Sequence, residues 1–210
     1  MFKVIQEIPS AHATIKGSEA YESIQGNVYL YEVYGGTVLM GEIYGIPPEL
    51  ERESGGFYGF HIHEGGSCTG SSQDEFADAK SHYNPEGVPH PRHAGDLPPL
   101  MSHNGIAWME VYTGRFYPEE VIGRTIIVHG MPDDFRSQPS GNSGEKIACG
   151  EIMEWEGFVP DLNDEEYKAQ LKNAMQNRVN AVEGFAVNKD GYDKLPEEAL
   201  EALKKLVAEI

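Results

Sequence analysis

Asn27-Val-Tyr-Leu-Tyr-Glu-Val33 and Thr37-Val-Leu-Met-Gly-Glu-Ile-Tyr44 stand on either side of Gly35-Gly36. Short alternating bursts rich in valine, isoleucine and tyrosine, divided by a glycine pair, predict a strand, a tight turn and a second strand. The alternation starts near Ala11 and lasts to about Ile46. Phe57-Tyr-Gly-Phe-His-Ile-His63 and Gly123-Arg-Thr-Ile-Ile-Val-His129 predict two further strands, and Lys146-Ile-Ala-Cys-Gly-Glu-Ile-Met153 a last one. Most of the 24 glycines and 13 prolines fall in the first three-quarters of the chain, where they punctuate short segments as turns do in all-β domains. The expectation is an all-β, Greek-key, immunoglobulin-like β-sandwich or barrel.

Between these strands lie two long segments without periodicity, Glu64 to about Ser102 and Gly130 to Glu145, rich in Gly, Pro, Ser and Asp. Loops of that length in a compact domain usually carry function. After Trp155 glycine thins out while alanine and charge rise, which places a boundary between Glu156 and Asp161 and divides the chain into 1–158 and 159–210. The second part reads as a C-terminal α-helical extension. Asn163 or Asp164 can cap a helix with Glu165 and Glu166 in its first turn and Tyr167, Leu171, Ala174, Met175 and Val182 on one face. Leu195-Pro196-Glu197-Glu198 opens a second helix carrying Leu200, Leu203, Leu206, Val207 and Ile210. Those stripes need a covering surface, either the sandwich or a second subunit in a homodimer.

With 210 residues and 40% hydrophobic content, the chain suits one full core plus an appendage. A formal net charge of −18 disfavours nucleic acid and anionic membrane as partners. Met1 to Ala11 has neither the basic start nor the apolar core of a secretory signal, so the sequence as given reads as cytoplasmic, although an exported form after processing would read identically. Cys68 and Cys149, far apart in such a chain, read by themselves as two unrelated thiols.

Six of the eight histidines, His61, His63, His82, His90, His93 and His129, fall within or beside the long loops. His61 and His63 are two apart on a strand, hence on one face, and can reach one ion together. His82-Tyr-Asn-Pro-Glu-Gly-Val-Pro-His90-Pro-Arg-His93-Ala-Gly-Asp96 offers three imidazoles and a carboxylate, a tetrahedral zinc set of nitrogen and oxygen donors. An all-imidazole site on rigid strands also suits copper, so two metals are expected.

Gly59-Phe-His-Ile-His-Glu64, Gly66-Ser-Cys68, His82-Tyr-Asn-Pro85, His93-Ala-Gly-Asp-Leu-Pro98, Ile122-Gly-Arg-Thr-Ile-Ile-Val-His129, Asp133-Asp134 and Ala148-Cys-Gly150 together resemble the ordered pattern of copper/zinc superoxide dismutases, the bacterial ones above all. The resemblance runs from about Ala11 to Met153. It implies copper on His61, His63, His82 and His129, zinc on His82, His90, His93 and Asp96, and a bridging His82. It further implies that Asp133 links His61 to His90, and that Cys68 and Cys149 form a disulfide. The family's anion-guiding arginine, three residues before the second cysteine, corresponds here to Lys146, a departure that keeps charge but loses the planar fork. Arg136 is a second cation in reach by sequence. The spacing His90-Pro-Arg-His93 is shorter than in well-known members. The activity implied is conversion of superoxide to dioxygen and hydrogen peroxide; the alternative is a metal-binding relative with little activity that stores or transfers copper and zinc.

Overall fold

The alternating residues of the N-terminal third form three consecutive antiparallel strands, β1 (Ala11–Gly17), β2 (Gln25–Val33) and β3 (Gly36–Tyr44). Ala13, Ile15, Val28, Leu30, Leu39 and Ile43 point inward from them and are fully buried. The β2–β3 hairpin turns at Gly35 and Gly36, both with positive φ (86° and 155°), which explains why glycine occupies both places. The computed structural model describes residues 8–156 and Lys205.

The segment expected as one strand at Phe57–His63 is two: β4 (Phe57–Tyr58) and β5 (Phe60–His63), broken at Gly59. They are followed by β6 (Leu100–His103), β7 (Ile106–Thr113), β8 (Thr125–His129), β9 (Lys146–Glu151) and β10 (Met153–Glu154). Two short helices, α1 (Pro48–Ser54) and α2 (Pro118–Val121), cross between strands, each opening on a proline. The strand order is β4-β6-β7-β3-β2-β1-β9-β8-β5, antiparallel throughout, with β10 beside β1. Its two end strands, β4 and β5, are consecutive in the chain and separated only by Gly59, so the sheet curls until its ends nearly meet. The fold is therefore an all-β Greek-key sandwich that nearly closes into a barrel.

All five residues of β8 are buried, which a period-two strand manages only when both faces are covered. Ile126 and Val128 enter the main core with Phe60 and Ile62, whereas Ile127 joins Phe76, Ala79 and Cys149 beneath the first long loop. The Cys68–Cys149 disulfide ties that loop to β9. With the cysteines separated by 81 positions in the sequence, the chain-entropy treatment gives about 4–5 kcal/mol of stabilisation. Residues 157–204 and 206–210 lie outside the described residues, and with them the expected domain boundary at 158 and both apolar stripes of the extension. Among the described residues no helix is long and apolar enough to cross a membrane.

Candidate metal centre

The period of two that buries Phe60 and Ile62 in the core turns His61 and His63 to the opposite face of β5. There β5 pairs with β8, His61 opposite Ile127 and His63 opposite Thr125. A register shift between Val128 and His129, where β8 meets β9, re-aims His129 toward the same place, and its amide donates to the Gly59 carbonyl at 2.8 Å. His63 Nε2 and His129 Nε2 approach to 3.3 Å.

The first long loop then lays a strap across the free edge of β5. Isolated bridges join His63 to His82 and His61 to Asp96, while the Ile62 amide donates to Gly95 O (2.9 Å) and its carbonyl accepts from Tyr83 N (2.8 Å). This strap delivers His82, His90, His93 and Asp96. Asp96 Oδ1 lies 2.7 Å from His82 Nδ1 and 3.2 Å from His93 Nδ1, and Oδ2 lies 3.1 Å from His90 Nδ1. Two buried groups of donors result, His61, His63, His82 and His129, and His82, His90, His93 and Asp96; within each group the ligand atoms lie within 4.8 Å of one another. His82 belongs to both.

The chemistry of the nitrogens tests whether metal ions fit. His61 Nδ1, His82 Nε2, His90 Nδ1 and His93 Nδ1 are buried without a hydrogen-bond partner, an arrangement that is costly unless something else takes the lone pair. The opposite nitrogens of His61 and His90 are occupied, as is one nitrogen each of His63 and His129. His61 Nε2 donates to Asp133 Oδ2 (2.8 Å), His90 Nε2 to Asp133 Oδ1 (3.0 Å), His63 Nδ1 to the Lys80 carbonyl (2.8 Å) and His129 Nδ1 to the Gly144 carbonyl (3.3 Å). These four rings are thus held from outside by one N–H, leaving the other nitrogen for a metal, the pattern of metal-ligating histidines. The donor set fits copper and zinc.

Charge states agree with that arrangement. Burial disfavours the imidazolium, lowering His61 to about 4 and His129 to about 3, pushing His63 well below its ordinary value and lowering His93 as well. Burial acts the other way on Asp133, but the hydrogen bonds from His61, the Phe135 amide and His90 outweigh it and hold the carboxyl far below its usual range. Asp96 is lowered too: the His82 hydrogen bond and the surrounding imidazoles overcome its desolvation. At neutral pH His61, His63, His93 and His129 are therefore neutral imidazoles and Asp96 and Asp133 ionised carboxylates, the forms that coordinate.

The structure also assigns work to residues that carry no motif. Arg115 Nη1 donates to the carbonyls of Pro91 (3.2 Å), His93 (3.0 Å) and Asp96 (3.2 Å), clamping the strap from outside. Gln138 brackets His90, accepting from its amide at 3.0 Å and donating to its carbonyl at 2.7 Å. At Gly141 (φ 69°) a Cβ would collide with Asp133 Oδ1 and crowd His90 Nε2, so only glycine lets Asp133 reach both rings. Lys146 lies at the mouth of the site, with Nζ donating to Asp74 Oδ2 (2.7 Å) and to the Phe76 carbonyl (3.0 Å). Arg136 is absent from the residues lining that cleft.

Comparison with known proteins agrees with this geometry. The family described as copper/zinc superoxide dismutase (SODC) matches residues 24–152. Superoxide dismutase (Cu-Zn) 2 of Aquifex aeolicus (strain VF5) is 32% identical over 159 residues, 68% of this chain and 85% of that protein. The corresponding protein of Photobacterium leiognathi is 38% identical over 120 residues, 50% of this chain and 69% of its own. Among solved structures, the Cu/Zn superoxide dismutase from Brucella abortus superposes with a TM-score of 0.57 at 25% identity, covering 67% of this chain and 98% of that one.

Proposed function

The chain belongs to the copper/zinc superoxide dismutase family, and we propose that it converts superoxide to dioxygen and hydrogen peroxide. One superoxide anion gives up an electron and leaves as dioxygen; a second takes up that electron and two protons and leaves as hydrogen peroxide. His61, His63, His82 and His129 would hold copper, which would supply the one-electron redox chemistry, and His82, His90, His93 and Asp96 would hold zinc, which has no redox chemistry of its own.

The observation that carries this reading is His82. Its Nδ1 lies against Asp96 in the second group, while its Nε2 is buried without a hydrogen-bond partner and the ring belongs equally to the first group. His82 would therefore serve both groups, one ring nitrogen toward each, and its Nε2 is where this chain can take up and release a proton. Asp133 keeps His61 and His90 in one tautomer and one orientation, so the two groups share a fixed frame. The Lys80 carbonyl does the same for His63. These residues hold geometry; none of them is asked to transfer an electron.

The test is to load the purified protein with copper and zinc, determine both metals, and follow superoxide consumption. Catalytic consumption that tracks copper content is the expected result. Full occupancy of both groups without consumption would instead favour a metal-storing or metal-transferring relative.

A further inference from the structure

The cleft above the copper group is lined by His63, His82, His93 and His129 together with charges of both signs. Four carboxylates, Glu64, Asp74, Glu75 and Glu145, face two ammonium groups, Lys80 and Lys146. A small anion entering here meets a local field set by those few charges more than by the distant remainder of the protein.

The two lysines are not equivalent. Lys146, at the position that the resemblance makes the anion guide, has its ammonium bound to Asp74 and to the Phe76 carbonyl, and its side chain is only 16% exposed. Its charge is answered by the Asp74 carboxylate 2.7 Å away, so little of it remains to act on an incoming anion. Lys80 is exposed, lines the same cleft, and its Nζ has no hydrogen-bond or ion-pair partner among the described residues.

Lys80 also sits in a backbone conformation that lysine seldom adopts, φ 61° and ψ −144°. Its amide donates to the Ala77 carbonyl at 3.0 Å and its own carbonyl accepts from His63 Nδ1 at 2.8 Å, so the path of the chain is dictated by the need to hold a copper ligand. Glycine would follow that path with the least strain. A lysine kept there adds nothing to the backbone contact; what it adds is a positive side chain beside the copper group.

We propose that Lys80 is the anion-guiding cation of this protein, and that Lys146 is a tether joining the loop around Asp74 to β9. The proposal rests on the dismutase reading above, and azide, a small monovalent anion, tests it apart from turnover. In the copper- and zinc-loaded protein, azide affinity is titrated through its visible absorption for the parent, Lys80→Gly, Lys80→Gln and Lys146→Gln. Both Lys80 variants should weaken azide about two- to fivefold, the effect of losing one nearby unit charge in a mostly aqueous cleft. Turnover at low superoxide should fall in step, and both differences should shrink as salt rises. In the metal-free protein Lys80→Gly, but not Lys80→Gln, should raise the melting temperature by relieving the strained backbone. Lys146→Gln should lower the melting temperature and change azide affinity less than either Lys80 variant does. Unchanged azide affinity in both Lys80 variants, or a larger loss in Lys146→Gln, would overturn the proposal. Azide binding that depends on Lys80 in a protein that does not consume superoxide would support anion guidance and sink the dismutase reading instead.

Discussion

The copper and zinc halves of the centre are built by different means although they share His82 and lie against each other. Three of the four copper donors sit on paired strands: His61 and His63 on β5, His129 at the end of β8. Sheet register and the core packing of Phe60, Ile62, Ile126 and Val128 fix their positions. All four zinc donors come from one stretch, residues 82–96, that has no helix or strand of its own. Its shape depends on backbone bonds to Ile62, on Gln138 and on the Arg115 clamp. A strand-built site is as rigid as the sheet, whereas a loop-built site is as rigid as its ties. Asp133 couples the two by holding one ring of each.

The largest effect separating the halves should come from His129→Ala. That residue belongs only to the copper group, so activity should drop to background while zinc stays near one per chain by metal analysis. Loss of zinc alongside activity would show that the halves do not stand independently.

Acid should destabilise the metal-free protein through the buried rings of its copper half. In the unfolded chain a histidine takes up its proton near pH 6.5, but the folded His61 does so only near 4 and His129 only near 3. The unfolded state therefore binds more protons throughout that interval, and stability that is complete above pH 6.5 is lost progressively as pH falls toward those values. For His61 the displacement corresponds to about 3 kcal/mol. Thermal midpoints between pH 7 and pH 4 should fall steeply, and His61→Gln should flatten the fall. A midpoint independent of pH over that range would mean that these rings are not held neutral by burial.

The smallest effect expected is that of Arg115→Ala, which cuts a tie without touching a ligand. Losing the three donations to Pro91, His93 and Asp96 should cost about 1–3 kcal/mol of stability. It should weaken zinc about tenfold or more in a chelator competition, with copper affinity altered less. Equal weakening of both metals would show that the clamp supports the whole centre and not the strap alone.

Much of the centre was legible from residue spacing. His-x-His on a strand requires a common face, and three imidazoles with a carboxylate in fifteen residues form a donor set wherever the loop lies. The resemblance to known dismutases extended this to His129, to the sharing of His82, and to the disulfide between two cysteines that composition alone would have left as thiols. Strands β6 and β7 drew no expectation from the pattern. Exposed Met101, Ile106 and Trp108 on their outer face mask the usual alternation of apolar and polar residues.

By itself the sequence determined which side chains can bind metal and which stretches are strands, because both follow from local chemistry and from a backbone period of two. Only the tertiary structure decided what stands behind each ligand. That Lys80 lends His63 its carbonyl, that Arg115 clamps the zinc strap, that Gly141 leaves room for Asp133, and that Asp74 engages Lys146 all join residues far apart in the chain or depend on a backbone angle. The physical reason lies in range. Spacing reports the geometry of a few neighbouring residues, whereas the orientation of a ring and the charge left free on an ammonium depend on whatever the fold packs against them.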